Sequence, residues 1–248
     1  MKQNKYDDPD FFAKYSAMPR SSGGLESAGE WPAFRSLLPD LHRKRLLDIG
    51  CGFGWHCRYA REQGASHVVG VDLSENMLER ARANTEDSAI EYRCCAIEDL
   101  DFRPHEFDVV ISSLALHYVR SFDSVCRNVV RWLSASGAFV FSVEHPVFTA
   151  IAAQQWCVGQ TGEKLHWPVD LYHEEGARRT NWMSENVIKY HRTIETYVNT
   201  VIGAGLDVTS LLEPGPTAKM LSMRPEWKDE CRRPMFLLIS AVRGNPAK

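Results

Sequence analysis

The sequence predicts an α/β protein: a doubly wound parallel sheet with an inserted lid. Three observations carry this. From residue 45 to residue 143, apolar runs of strand length alternate with amphipathic runs of helix length, which implies right-handed crossovers between parallel strands. The strand-like runs are continuously apolar, as strands buried on both faces must be. The alternation then breaks at Glu144-His145-Pro146, and a stretch rich in Trp, His, Gly and charge follows that is too long for a plain loop. These shifts divide the chain into an N-terminal helical cover (1–43), a sheet domain (44–143), a lid insertion (144–189) and a C-terminal part of the sheet domain (190–248).

The elements follow in order. The cover reads as helical pieces over 10–15 and 28–38, separated by Pro19, Ser21, Ser22, Gly23 and Gly24. A first strand, 45–50, ends in glycines. A helix over 55–63 is closed by Gly64. A second strand, 67–72, leads to Ser74 as N-cap, with Met77, Leu78 and Ala81 at helical spacing. Strands at 90–95 and 107–112 follow, then a helix over 122–133 with Phe122, Val125, Val129, Val130 and Leu133 on one face. The fifth strand is 137–143. After the lid, 187–190 reads as regular structure, 193–202 as a helix, and 206–212 and 235–242 as two more strands.

Composition limits the function classes. Of 248 residues, 29 are Lys or Arg and 32 are Asp or Glu, giving a net charge of −3. That balance argues against a nucleic-acid partner. The densest basic run, His42-Arg43-Lys44-Arg45, is too short to track a phosphate backbone. The absence of an 18-residue apolar stretch argues against a membrane span, and Met1 to Pro9 lacks an apolar export core. The seven cysteines are odd in number and form no Cys-x-x-Cys pair. Free thiols in a reducing cytoplasm fit this usage. The nine histidines show no metal-ligand spacing, so no metal is expected.

The strongest local signal is Asp48-Ile49-Gly50-Cys51-Gly52-Phe53-Gly54. A glycine turn between the first strand and helix lets a ligand approach the backbone and directs amide hydrogens at it. Asp72 ends the next strand, 22 residues after Gly50. In such sheets a ligand sits beyond the carboxyl ends of the strands, where a carboxylate can accept both hydroxyls of a ribose. A dinucleotide and S-adenosylmethionine both fit. The dinucleotide fingerprint asks for a third glycine where this chain has Trp55.

With an acid two residues before glycines at 50, 52 and 54, the chain resembles class I S-adenosylmethionine-dependent methyltransferases of the ubiquinone/menaquinone-biosynthesis-like group. Val69 to Leu78 resembles that family's second motif, 95–100 its adenine-contacting segment, 107–119 its fourth-strand motif and 133–139 its turn before the fifth strand. In that last turn Ala135 and Ser136 depart from the usual Pro and Gly. The resemblance implies a Rossmann-like, seven-stranded sheet in the order 3-2-1-4-5-7-6 with strand 7 antiparallel. It implies S-adenosyl-L-methionine as cofactor, left as S-adenosyl-L-homocysteine. Asp72 would hold the ribose, Leu73 and Met77 would flank the adenine, and Ile97 and Glu98 would meet its edge. Asp48, Gly50, Cys51, Gly52, Ala96, Ser113 and His117 complete the implied cofactor site. From the cover, Tyr6, Phe11, Phe12 and Tyr15 could close over the cofactor and Arg20 could meet its carboxylate; helix packing is the alternative.

The implied reaction moves a methyl group to an O or N atom of a small-molecule acceptor. Aligning the reactants alone supplies roughly 7–11 kcal/mol, so a general base is optional. The base candidates are His145 and His117, each just beyond a strand end, and His191 where the lid rejoins the sheet; histidine titrates near neutral pH. Each could instead be a hydrogen-bonded structural residue. Glu144, His145, Tyr172, Trp182, Tyr190 and His191 are the candidate acceptor-binding residues, since aromatics with a few polar groups suit a planar or apolar ligand. A satellite core under the lid is the alternative for the aromatics. A nicotinamide oxidoreductase and a non-catalytic cofactor-binding protein are the rival functions. A monomer or homodimer is expected.

Overall fold

The structure is a computed structural model and describes residues 3–244. Met1 and Lys2, where the reading of a missing export core begins, lie outside the described residues, as do residues 245–248 of the C-terminal part.

The cover forms α1 (Pro9–Ser16), α2 (Pro19–Ser22) and α3 (Trp31–Leu37). Proline opens the first turn of α1, and the Asp8 carboxylate accepts the Phe11 N–H at 2.9 Å, satisfying an otherwise orphaned donor. The sheet domain then runs β1 (Arg45–Ile49), α4 (Trp55–Glu62), β2 (His67–Asp72), α5 (Glu75–Ala83), β3 (Ile90–Cys94), β4 (Phe107–Ser113), α6 (Phe122–Trp132) and β5 (Leu133–Glu144). Ser74 caps α5 through Met77 N–H as expected. The middle of the chain forms α7 (Pro146–Thr149) and two hairpins, β6 (Cys157–Val158) with β7 (Lys164–His166) and β8 (Gly176–Trp182) with β9 (Ser184–His191). It closes with α8 (Ile194–Gly203), β10 (Leu206–Leu212), α9 (Ala218–Met223) and β11 (Phe236–Arg243).

The main sheet has seven strands in the order β3-β2-β1-β4-β5-β11-β10. β11 is antiparallel to both neighbours, so the expected order and the reversed last strand are both found. Side chains alternate between two cores. Leu47 and Ile49 of β1 face Phe122, Val129, Trp132 and Tyr197 of α6 and α8. Leu46 faces Trp31, Phe34, Cys57 and Leu78 of α3, α4 and α5. Helices therefore seal both faces of the central strands, which is why these read as largely apolar runs; the edge strands β3 and β10 depart from the expectation, carrying Glu91, Arg93, Asp207 and Thr209 because they are only partly covered. Parallel pairing brings the carboxyl ends of β1, β2, β4 and β5 to one edge.

One boundary differs from expectation. The turn expected at 133–139 lies inside β5, which starts at Leu133 directly after α6. Pairing with β4 skips between Phe107 and Val109, and Ser136 has φ 58°. The irregularity is absorbed as a bulge in the strand.

Neither hairpin joins the main sheet. β8–β9 packs on the cover. The Gln3 side-chain amide accepts the Ile188 N–H at 2.8 Å and donates to the Ile188 carbonyl at 3.3 Å. Lys14 Nζ donates to the Met183 carbonyl at 2.9 Å, and Phe11 meets Trp182 edge-on at 5.5 Å. β6–β7 is held by the segment before β11: Arg232 Nη2 donates to the Leu165 carbonyl at 2.6 Å. Arg233 lies 4.0 Å from the Trp167 ring centroid, and Phe148 stacks on Trp167 at 5.0 Å. Trp156 and Trp167 thus build a satellite core, the alternative reading for lid aromatics.

Candidate active site

A cavity of about 850 Å³ opens at the edge where β1, β2, β4 and β5 end. Its floor is the glycine turn after β1. Gly50 has φ 78°, and a Cβ there would stand 2.3 Å from the Ala115 Cβ, so both backbone shape and space require glycine. The expectation that this turn aims its amides at a ligand needs correction. Gly50 and Cys51 N–H both donate to the Val71 carbonyl, and Gly52 N–H donates to Asp72 Oδ2 at 2.9 Å. The three donors are spent holding the turn against β2, so the turn offers close approach rather than donors.

Asp72 stands in the cavity wall at the end of β2. Its Oδ1 accepts the Ser74 N–H at 3.0 Å, leaving about half of a carboxylate's roughly four acceptor sites for a ligand. Burial pushes its pKa up, against the pull of these backbone N–H groups. Leu73, Met77, Ala96, Ile97 and Glu98 line the same wall. This cradle fits a nucleoside: a diol acceptor beside an apolar slot. Asp48 and Cys51 do not line the cavity; they lie beneath the turn. Asp48 is fully buried, with the Cys57 thiol donating to Oδ2 at 3.4 Å and no hydrogen-bond partner at Oδ1. Burial raises its pKa to about 7.

The far side of the cavity holds a second set of polar groups. Ser113, His117 and Glu144 line the cavity from the ends of β4 and β5, and Trp182 and Tyr190 from the β8–β9 hairpin. Tyr15 and Arg20 enter from the cover, with Arg20 Nη2 donating to Glu30 Oε1 at 2.6 Å. Glu144 Oε1 accepts from Lys189 Nζ at 2.6 Å and Oε2 from Gln154 at 3.1 Å. Its pKa is lowered even though burial opposes this, because His117, Lys189 and these hydrogen bonds favour the anion. The His117 ring accepts the Glu144 N–H at Nδ1, 3.4 Å away, which leaves the proton on Nε2 in the neutral tautomer. Burial depresses the His117 pKa to about 4. At neutral pH this ring is a hydrogen-bond donor and a weak base.

Besides Asp48 and Cys51, three further candidate residues fall outside the cavity. His145 does not line it. Nδ1 accepts the Val147 N–H at 3.0 Å, capping α7, and Nε2 meets Glu213 Oε1 at 2.6 Å. Pro146 begins a helix there, which turns the ring into the protein wall. His191 is fully buried between Thr149 Oγ1 at 2.8 Å and the Tyr172 carbonyl at 2.9 Å. Tyr172 packs edge-on against His191 at 5.6 Å. These two fix the lid's return and do not reach the cavity.

Comparison with known proteins agrees with this geometry. Residues 47–141 match the model of the methyltransferase domain family. The structure of an S-adenosylmethionine-dependent methyltransferase from Mesorhizobium loti is 46% identical, covers 89% of this chain and 100% of its own, and superposes with a TM-score of 0.83. A Listeria monocytogenes structure assigned the same activity is 50% identical over 90% of this chain and 100% of its own, with a TM-score of 0.85. This chain belongs to the S-adenosylmethionine-dependent methyltransferases. A ubiquinone biosynthesis O-methyltransferase of Neisseria meningitidis is 31% identical over 157 residues, spanning 57% of this chain and 65% of that protein.

The methyltransferase cavity also brings together aromatic residues of the cover and of the fourth-strand motif, and others that no motif named. Tyr118 lines it, with Tyr6 at 6.4 Å between ring centroids and Tyr15 a further 5.1 Å from Tyr6. Burial raises all three phenol pKa values, so they stay protonated donors. Gln3, Met18, Met235 and Phe236 line it too. No local pattern marks these positions; they meet only because the cover and the last strand fold onto one edge. Among the described residues, no group of three or more His, Cys, Asp or Glu side chains is placed to hold a metal. Among them, no helix is long and apolar enough to cross a membrane.

Proposed function

We propose that this methyltransferase transfers a methyl group to an oxygen or nitrogen of a small molecule enclosed under the β8–β9 hairpin. The observation that carries this is the continuity of one cavity from Gly50 and Asp72 to Glu144, Trp182 and Tyr190. When bound, S-adenosylmethionine supplies a methyl already activated on a sulfonium.

The residues then divide the remaining work. Asp72 accepts the ribose hydroxyls, while Leu73, Met77, Ala96 and Ile97 enclose the base and Glu98 meets its edge. Arg20, held by Glu30, meets the carboxylate end beside Tyr15. Ser113 and His117 lie between the cofactor half and the acceptor half. His117 donates from Nε2 to an acceptor oxygen. Glu144 remains an anion at neutral pH and attracts a proton or positive charge at the acceptor. Trp182 and Tyr190 cover the reacting pair and exclude water. A weak base and a fixed anion suit a nucleophile that is already acidic or already carries a free lone pair.

The test is transfer of label from methyl-labelled S-adenosylmethionine into a metabolite extract. The expected result is labelled product in the small-molecule fraction, with S-adenosylhomocysteine released in equal amount. Label confined to macromolecules would overturn the reading. Asp72→Ala serves as the control for the cofactor end. Charge-assisted hydrogen bonds are worth about 1.5–3 kcal/mol each, so losing two weakens S-adenosylhomocysteine binding by about a hundredfold or more. Calorimetric titration reads this directly, and unchanged affinity removes Asp72 from the site.

A further inference from the structure

We propose that Lys189 and Gln154 are positioning residues of the acceptor half: each grips one oxygen of Glu144 from behind, so that the free acceptor positions of the carboxylate face the cavity and take the proton that the methyl acceptor gives up. This rests on the small-molecule reading above and assigns its proton acceptor.

Glu144 lines the cavity, whereas Lys189 and Gln154 do not. Lys189 Nζ donates to Oε1 at 2.6 Å, and Gln154 Nε2 donates to Oε2 at 3.1 Å. One donor on each oxygen leaves about half of a carboxylate's roughly four acceptor sites unused, and both donors stand on the side away from the cavity. Lys189 Nζ also donates to Gln154 Oε1 at 3.2 Å, and its side chain is 1% exposed. The Gln154 amide therefore has one workable orientation. Turned over, it would set its NH2 against an ammonium and its oxygen against a carboxylate. Gln154 reaches this place from a backbone with φ 48°, a region that residues with a Cβ seldom occupy. Such a conformation persists where the contacts around it fix it.

Other titratable groups face Glu144 as well: His117 and Tyr118 from the turn after β4, and Tyr197 from α8. Burial leaves His117 neutral at neutral pH and keeps both phenols protonated, so of these groups and Lys189 only Lys189 brings a full positive charge. Burial alone would favour the protonated form of Glu144; His117, Lys189 and the two side-chain hydrogen bonds reverse that. During transfer the acceptor's oxygen or nitrogen forms the new bond to the methyl carbon, and the electron pair of the carbon–sulfur bond stays on sulfur. The proton on that oxygen or nitrogen passes to Glu144, which returns it to water once the product has left. A Glu144 that is already protonated has no place for that proton, and Lys189 and Gln154 keep the place open.

The test reads Glu144 directly. Protein isotope-labelled at the glutamate carboxyl carbon is titrated by NMR, and the Glu144 signal is identified by its loss in Glu144→Gln. In the wild type it should titrate below ordinary glutamate. Lys189→Met should move the midpoint up, Gln154→Leu should move it up by less, and Lys189→Arg should bring it back. Gln154→Leu leaves both charges in place, which guards against a Lys189→Met protein that fails to fold. The extract assay gives the second readout: the acid limb of small-molecule labelling should move up together with the NMR midpoint in each variant. A Glu144 midpoint that stays put in every folded variant overturns the inference, and so does a shifted midpoint that leaves the acid limb where it was. Label appearing only in macromolecules would instead remove the small-molecule reading beneath it.

Discussion

Both ring nitrogens of His145 are engaged, one by the Val147 N–H and one by Glu213. Burial lowers its pKa, and Glu213 only partly offsets this. Its work is to cap α7 and tie the end of β5 to the segment after β10. His145→Ala is therefore expected to keep kcat within a few-fold while lowering stability by about 1–3 kcal/mol, the usual penalty when buried partners are left unmet. Chemical denaturation and steady-state kinetics on one preparation separate the two effects; a thousandfold fall in kcat with stability intact would restore His145 as a base. The sequence shows a histidine just past a strand end. It does not show that Pro146 starts a helix at once, nor that Glu213 arrives from 68 residues away. His117, by contrast, sits where the fourth-strand motif suggested, and its depressed pKa is a product of burial that no local pattern displays.

The element with most leverage on the site is the β8–β9 hairpin. Besides its contacts with the cover, one buried ion pair, Lys189 to Glu144, ties it to the end of β5, with Gln154 bridging both partners. The Lys189 ammonium also lies 5.2 Å from the Trp182 ring centroid. Removing one partner of such a pair strands the other charge, typically at about 3–5 kcal/mol. Lys189→Met should thus destabilise strongly. The double variant Lys189→Met with Glu144→Gln should recover much of that loss, because an uncharged pair leaves no stranded ion. Melting temperatures of the two singles and the double give the coupling; additive losses would show that the pair does not act as a unit. The central main-sheet strands were legible because two-sided burial demands long apolar runs. The hairpins were not. β6 and β7 span two and three residues and are largely exposed, so no alternation is imposed on them. The Lys189–Glu144 contact joins positions 45 apart, and only the folded lid brings them together.

At the scale of the whole molecule, buried titratable groups set the pH range of stability. His56 is pressed between Trp31 and Phe34, at 5.4 and 5.3 Å between ring centroids, and burial lowers its pKa to about 3. His117 is lowered to about 4. Unfolded, both take up a proton near pH 6.5, which the folded protein refuses until far lower pH. Stability should therefore fall as pH drops from about 6.5 toward 4. Asp48 works in the opposite sense: with a folded pKa of about 7, its burden is full above pH 7 and eases as pH falls toward its unfolded value near 4. Two histidines outweigh one carboxyl on the acid side. A melting-temperature profile from pH 4 to 8 should show an acid limb that His56→Phe flattens, and Asp48→Asn should raise the melting temperature at pH 8 with no gain at pH 4. An acid limb unchanged in His56→Phe would remove His56 as its cause. Fold class was readable from periodicity, and strand order and cofactor from the resemblance that the glycine turn and its neighbouring motifs carry; the full lining of the cavity was not, because its residues come from the start, middle and end of the chain.

The Gln3 side chain behaves toward Ile188 like one more rung of a β-ladder, accepting its N–H and donating to its carbonyl. That rung staples the beginning of the chain to the roof hairpin. Cover and hairpin are thus fastened to each other, and both border the one cavity that also holds Gly50 and Asp72.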